Sequence, residues 1–67
     1  MIKFKKIRED NVTVGYKAVK GDQTLYSIYD TERGSWNIYE RDDICRGYLD
    51  TGCTLKECKQ MILNWHK

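Results

Sequence analysis

The sequence predicts a two-layer α+β domain, in which an antiparallel meander of three or four strands packs against one C-terminal helix. Three observations predict it. Apolar and polar residues alternate along successive short segments, glycine-containing turns separate those segments, and the last segment has the periodicity of a helix. The chain, residues 1–67, is expected to form one small domain, because its length supports only one hydrophobic core.

The first two strands are expected at residues 2–7 and 12–19. Ile2 and Phe4 alternate with lysines in the first segment, and the alternation slips at Lys6–Ile7, where a bulge or the strand end is expected. β-branched and aromatic residues dominate the second segment, as in a half-buried strand. Residues 20–23 contain glycine and are typical of a hairpin turn.

Two further strands are expected at residues 24–29 and 35–40, joined by the glycine-containing turn at residues 30–34. Residues 44–49 form a weaker strand candidate, because a glycine in its interior disfavours pairing. The sequence leaves open whether residues 2–7 and 44–49 join the sheet.

The C-terminal helix is expected to span residues 55–65. Thr54 and Glu57 have the spacing of a capping box, in which each side chain accepts a hydrogen bond from the other residue's amide. Cys53 and Cys58 occupy the two positions of a hydrophobic staple. The expected core joins the apolar stripe of this helix (Leu55, Cys58, Met61, Ile62 and Trp65) to inward strand residues (Val12, Val14, Tyr16, Tyr26, Ile28, Trp36 and Ile38), with Trp65 and Ile62 packing against Trp36 or Ile38.

Charge is unevenly distributed although the net charge is only +2. Residues 1–20 contain six basic and two acidic side chains, residues 21–50 contain three and seven, and residues 51–67 contain three and one. Such segregation is typical of solvated strand faces and also of a dipolar surface that steers a charged partner. No apolar run has the length of a membrane span, and an odd count of three cysteines favours reduced thiols in a cytoplasmic protein.

Neither a metal site nor an enzyme active site is expected. Successive intervals of seven, four and seven residues separate Cys45, Cys53, Cys58 and His66. This spacing does not match the two closely spaced ligand pairs that are typical of zinc sites. His66, the only histidine, lies next to the chain end, and no phosphate-binding or dinucleotide motif is present. We therefore expect no cofactor, no disulfide and no small-molecule substrate.

Nucleic-acid binding is one hypothesis that the residues support. A sheet can enter a major groove, and its outward lysines can contact phosphates. The candidate residues are Lys3, Lys5, Lys17 and Lys20, with Tyr29 and Tyr39 available to stack on bases. The alternative interpretation is that lysines on outward strand positions only keep a sheet edge soluble.

Protein binding is a second hypothesis, because five tyrosines and two tryptophans exceed what so small a core can bury. The expected partner surface consists of Leu25, Tyr29, Tyr39 and Tyr48, with Arg41 and Arg46 at its rim. The alternative interpretation is that the outward tyrosines form cross-strand pairs that stabilise the sheet.

A region of the chain resembles short uncharacterised phage and prophage proteins. The resemblance rests on residues 34–39 (GSWNIY), 47–49 (GYL) and 54–59 (TLKECK), and it covers about residues 34–59. Many such proteins inhibit host defence, anti-CRISPR proteins among them, or are small DNA-binding accessory domains. The resemblance implies that class and assigns no functional residue.

The expected function is therefore that of a small non-enzymatic binding protein. The first hypothesis is an anti-CRISPR-like inhibitor from a phage or mobile element, which occupies a protein surface of a host nucleic-acid-handling complex. The alternative is a sheet-based DNA-binding domain of a mobile element. No membrane partner is expected, and an unpaired edge strand would allow a dimer.

Overall fold

The computed structural model describes residues 1–66, which form a five-stranded antiparallel sheet followed by one helix. The strands are β1 (Lys3–Glu9), β2 (Val12–Lys20), β3 (Gln23–Asp30), β4 (Trp36–Glu40) and β5 (Asp50–Gly52), and the helix is α1 (Leu55–Trp65). The strands lie side by side in sequence order, so the sheet is a meander. The predicted α+β class is confirmed, with one strand more than the three or four expected. Within residues 1–66, no helix is long and apolar enough to cross a membrane.

The first segment is a full strand of the sheet. β1 pairs with β2 from Lys3 opposite Val19 to Glu9 opposite Val12. Its register shifts between Ile7 and Arg8, one residue beyond the expected irregularity. A basic strand therefore forms one edge of the sheet.

The segment at residues 44–49 is not a strand. Ile44–Arg46 form one turn of 3₁₀ helix, and Gly47 follows with a φ of +87°, a left-handed conformation that interrupts an extended chain. Pairing resumes only at β5, where Gly52 lies opposite Trp36. The apolar side chains of this segment are consequently exposed, Tyr48 to 60%.

One face of the sheet packs against α1 and contains the buried core. The buried cluster consists of Ala18, Ile28, Ile38, Cys58 and Ile62, surrounded by half-buried Ile2, Phe4, Tyr16, Tyr26, Trp36, Leu55 and Met61. Tyr16 lies opposite Ile28, which lies opposite Ile38, so these side chains share the face that the helix covers. The predicted contact between the helix stripe and the inward strand residues is confirmed for most of its members.

Val12, Val14 and Trp65 do not belong to this core, and Val14 is only half-buried. Val12 is 60% exposed, because it begins β2 at the end of the sheet, where it pairs with Glu9. Trp65 is 43% exposed, since it is the last residue of the helix. Its ring contacts Tyr26, with a centroid distance of 5.3 Å, whereas Trp36 packs against Tyr16 instead.

The helix begins where the capping residues predict. The Thr54 hydroxyl oxygen accepts a hydrogen bond from the Glu57 amide at 3.1 Å. The Glu57 carboxylate, however, accepts from the Cys53 amide at 2.7 Å rather than from that of Thr54. Cys53 is exposed, so the expected hydrophobic staple with Cys58 buries little surface.

The three thiols are expected to differ in reactivity. Cys45 and Cys53 are exposed, whereas Cys58 is buried and its Sγ donates to the Trp36 carbonyl oxygen at 3.6 Å. Burial raises the pKa of the Cys58 thiol, and the nearby Glu57 carboxylate adds to this effect, so little reactive thiolate is present there at neutral pH. We expect a thiol reagent to modify two cysteines rapidly in the native protein and the third only after denaturation.

Counting modified thiols against time, in native buffer and in denaturant, tests this expectation. Replacing both Cys45 and Cys53 with serine serves as the control and should leave only the slow thiol. Equal rates for all three cysteines would contradict the burial of Cys58. Fewer than three thiols after non-reducing denaturation would show that a disulfide exists.

Candidate binding surface

The sheet face opposite α1 is here called the open face, and α1 does not cover it, because the helix packs on the face that contains Ile28 and Ile38. Side chains alternate between the two faces of a strand, so the register assigns the neighbours of the core residues to this face. The open face consists of Lys3, Lys5, Ile7, Gly15, Lys17, Val19, Ser27, Tyr29, Asn37, Tyr39 and Thr51, of which Val19 is buried.

All of them except Lys3 and Val19, which lie opposite each other, form two neighbouring rows that run across the strands. The first row, here called the lysine–tyrosine row, is Lys5, Lys17, Ser27 and Tyr39. The second row is Ile7, Gly15, Tyr29, Asn37 and Thr51. Basic side chains therefore lie over β1 and β2, and aromatic side chains lie over β3 and β4.

The aromatic half of the open face is held by specific contacts. Tyr29 and Tyr39 meet edge to face, with ring centroids 5.8 Å apart. The Asn37 amide group donates to the Tyr39 hydroxyl at 3.4 Å, and Asn37 Oδ1 accepts from the Thr51 hydroxyl at 2.9 Å. The tyrosine pair thus joins β3 to β4, and the Thr51 hydrogen bond joins β4 to β5. Both tyrosine rings remain partly exposed.

Tyr29 lies close to the one open-face position that has no side chain. A Cβ added to Gly15 would come within 3.0 Å of Tyr29 Cδ1, so the ring covers this glycine. Burial raises the pKa of the Tyr29 hydroxyl, and the carboxylates of Asp42 and Glu9 raise it further. Tyr29 is therefore protonated at neutral pH, and carboxylates border its end of the open face.

The basic half places like charges next to each other. Lys5 lies directly opposite Lys17, an arrangement that brings the two Cβ atoms to about 5 Å and is destabilising when no anion intervenes. Lys17 is half-buried on an interior strand. Within residues 1–66 the only ion pair joins Arg46 to Asp43 at 3.4 Å, so no carboxylate neutralises these lysines by direct contact.

The loop after β4 covers the middle of the open face. The Arg41 amide donates to the Leu25 carbonyl oxygen at 3.0 Å, and the chain then turns at Arg41, whose φ is +52°. The Ser27 hydroxyl lies 2.6 Å from the Arg41 carbonyl oxygen and 3.2 Å from Asp42 Oδ1, which fully buries it. Sequence reasoning missed Ser27 and its hydrogen bond to Asp42. The available signal was a small polar residue inside the otherwise apolar third strand.

The predicted protein-binding residues lie in three separate places. Tyr29 and Tyr39 are on the open face, and Tyr48 borders it beside Asn37 and Thr51. Leu25 and Arg41 lie at the other end of β3 and β4, where they line a groove of about 400 Å³ together with Glu40 and His66. Arg46 is on the 3₁₀ turn, paired with Asp43. A single six-residue surface is therefore not formed.

The predicted nucleic-acid-binding residues are less dispersed. Lys3, Lys5 and Lys17 share the open face. Lys20 ends β2 and lines a cleft with Met1, Leu63 and His66 at the β2–β3 turn, away from the other three. The register thus unites three of the four lysines.

Other chemical groups of the described chain do not converge. His66 Nε2 lies 3.1 Å from the Tyr26 hydroxyl on the helix side of the sheet. Within residues 1–66, no group of three or more His, Cys, Asp or Glu side chains is placed to hold a metal ion.

No protein-family model matches the chain, and no significant match exists among curated proteins or solved structures. A role for the open face must therefore be inferred from its own residues.

Proposed function

We propose that this protein is a small, non-enzymatic binding protein that engages nucleic acid through the open face of its sheet. The observation that carries the proposal is the direct opposition of Lys5 and Lys17, with Lys3 on the same face and no ion pair to any of them. Phosphate groups placed between such lysines would convert a repulsive arrangement into an attractive one. A cytoplasmic location with reduced thiols is consistent with this function.

Protection of a sheet edge does not account for all three lysines. Lys3 and Lys5 lie on β1, an edge strand, where lysine is a common means of preventing aggregation. Lys17 lies on β2, which is paired on both sides and has no free edge to protect. Its partly buried charge opposite Lys5 is therefore better explained by an anionic partner.

A second candidate is the inhibitor that occupies a protein surface of a host nucleic-acid-handling complex, as anti-CRISPR-like phage proteins do. The cluster of Tyr29, Tyr39 and Tyr48 favours it, since tyrosines concentrate binding energy at protein interfaces. We place it second because Leu25, Arg41 and Arg46 lie apart from this cluster.

Replacing Lys3 and Lys5 together with alanine is expected to weaken binding to a pool of random-sequence nucleic acid. The fall of log affinity with log salt should also become less steep, by about 0.7 to 0.9 for each phosphate contact that is lost. Fluorescence anisotropy across a series of salt concentrations measures both quantities. Lys56, an exposed lysine of α1, provides the matched control, and Lys56→Ala should leave affinity and slope close to those of the parent.

Unchanged affinity and salt slope in the Lys3→Ala, Lys5→Ala variant would contradict nucleic-acid binding by this face. The second candidate is distinguished by capturing the tagged protein's partners from host cells with and without nuclease. A protein partner that survives nuclease and is lost with Tyr39→Ala, while the lysine variant retains it, supports the inhibitor instead.

A further inference from the structure

We infer that the nucleic acid bound by the open face is single-stranded. This inference rests on the proposed function and specifies its ligand. It follows from three features of the face: the order of side chains along the lysine–tyrosine row, the position of the neighbouring carboxylates, and the width of the sheet.

The lysine–tyrosine row offers a backbone contact at one end and a base contact at the other. Lys5 and Lys17 lie over β1 and β2, and Tyr39 lies two strands beyond Lys17. Ser27, between Lys17 and Tyr39, is covered by the loop at Arg41 and Asp42, so a bound strand must pass over this loop. Three strand spacings of about 4.8 Å give about 14 Å from the Lys5 position to that of Tyr39. A partly exposed tyrosine ring stacks on an unpaired base, whereas the bases of a duplex are already stacked on one another.

The carboxylates of the open face define where phosphates can lie. Asp42 reaches the face through the Ser27 hydroxyl, and both Asp42 and Glu9 are close enough to Tyr29 to raise its pKa. Asp42 lies between Lys17 and Tyr39, and Glu9 lies at the last position of β1. Phosphates are therefore attracted to Lys3, Lys5 and Lys17 and repelled from Asp42 and from the end of the face at Glu9. A single strand has one backbone and satisfies this asymmetry by directing its bases towards the tyrosines. A duplex laid on the same face would bring a second backbone towards Asp42.

The width of the sheet also disfavours a duplex. Five strands span about 19 Å between the outer strand axes, whereas the major groove of B-DNA is about 12 Å wide. The open face therefore cannot enter the groove as a two-stranded ribbon does. Outside the loop at Arg41 and Asp42, it has the form of a platform over which an extended chain can pass.

The test compares a labelled oligothymidylate, an oligouridylate and a duplex of equal length in anisotropy titrations with the intact protein. We expect either single strand to bind at least about tenfold more tightly than the duplex. Tyr39→Ala should weaken single-strand binding by about 5- to 150-fold, the range that loss of one stacked base gives. Tyr39→Phe is the matched control, because phenylalanine keeps the ring and should retain most of the affinity.

Lys17 provides an independent measurement. Lys17→Gln should make the salt dependence of single-strand binding less steep, by about 0.7 in the slope of log affinity against log salt. Lys56→Gln should leave this slope unchanged. If the duplex binds as tightly as the single strand, the inference is wrong while the proposed function stands. If no nucleic acid binds, both are wrong. Equal losses for Tyr39→Ala and Tyr39→Phe would exclude stacking and overturn the inference as well.

Discussion

Replacing Ile62 with alanine is expected to remove most of the stability of this protein. Ile62 is fully buried between α1 and the sheet, in one cluster with Ile28, Ile38 and Cys58. Truncation of such a side chain costs about 2–5 kcal/mol, because it removes apolar contacts and leaves a cavity. A small domain has a free energy of unfolding of only about 5 kcal/mol or slightly more, so the variant should be largely unfolded under mild denaturing conditions.

Urea denaturation followed by tryptophan fluorescence measures this loss, since Trp36 and Trp65 both report on contacts between the aromatic residues and the core. Leu63, the next residue of the helix, is 40% exposed and provides the matched control. Leu63→Ala should change the free energy of unfolding far less. If both variants had the midpoint of the parent, the helix would not stabilise the sheet as the structure shows.

The strands and the helix could be predicted because local sequence and tertiary packing require the same pattern. In a two-layer fold each strand has one face towards the helix, so inward residues such as Ile28 and Ile38 recur with a period of two. The helix start could be predicted because the Thr54 side chain satisfies a local amide.

Residues 44–49 could not be predicted in the same way. Ile44, Tyr48 and Leu49 are apolar, but the positive φ of Gly47 turns the chain and leaves them exposed. A glycine inside a strand pattern is compatible with either a bulge or a complete break of the strand, and the sequence does not distinguish the two. Which residues of this segment pair with β4 depends on where the tertiary structure leaves the edge of β4 free for hydrogen bonding.

The candidate site was only partly predictable for the same reason. Strict alternation places Tyr29 and Tyr39 on the open face, and the register confirms that position. It fails for Leu25, because the register shift between Ala18 and Val19 leaves this residue without a partner on β2. The opposition of Lys5 and Lys17 depends on the register between β1 and β2, which the sequence alone does not fix.

A methyl group at Gly15 is expected to disrupt the sheet at the centre of the open face. Gly15 is buried, pairs with Ile7 on one side and lies opposite Tyr29 on the other. A Cβ at this position would overlap the backbone carbonyl oxygen of Ile28 and approach Tyr29 Cδ1 to 3.0 Å. A side chain can rotate away, but the Ile28 carbonyl belongs to an interior strand and cannot move without disturbing its hydrogen bonds.

We therefore expect Gly15→Ala to lower the free energy of unfolding by about 3 kcal/mol or more, at or above the upper end of the usual cost of overpacking. Urea denaturation provides the measurement, and a second variant separates the two causes. In Gly15→Ala combined with Tyr29→Ala, the ring is absent and only the backbone overlap remains. If the overlap with Ile28 dominates, removing the ring should not restore stability. Recovery in the double variant would instead show that the Tyr29 ring, rather than the approach of two backbones, requires glycine at this position.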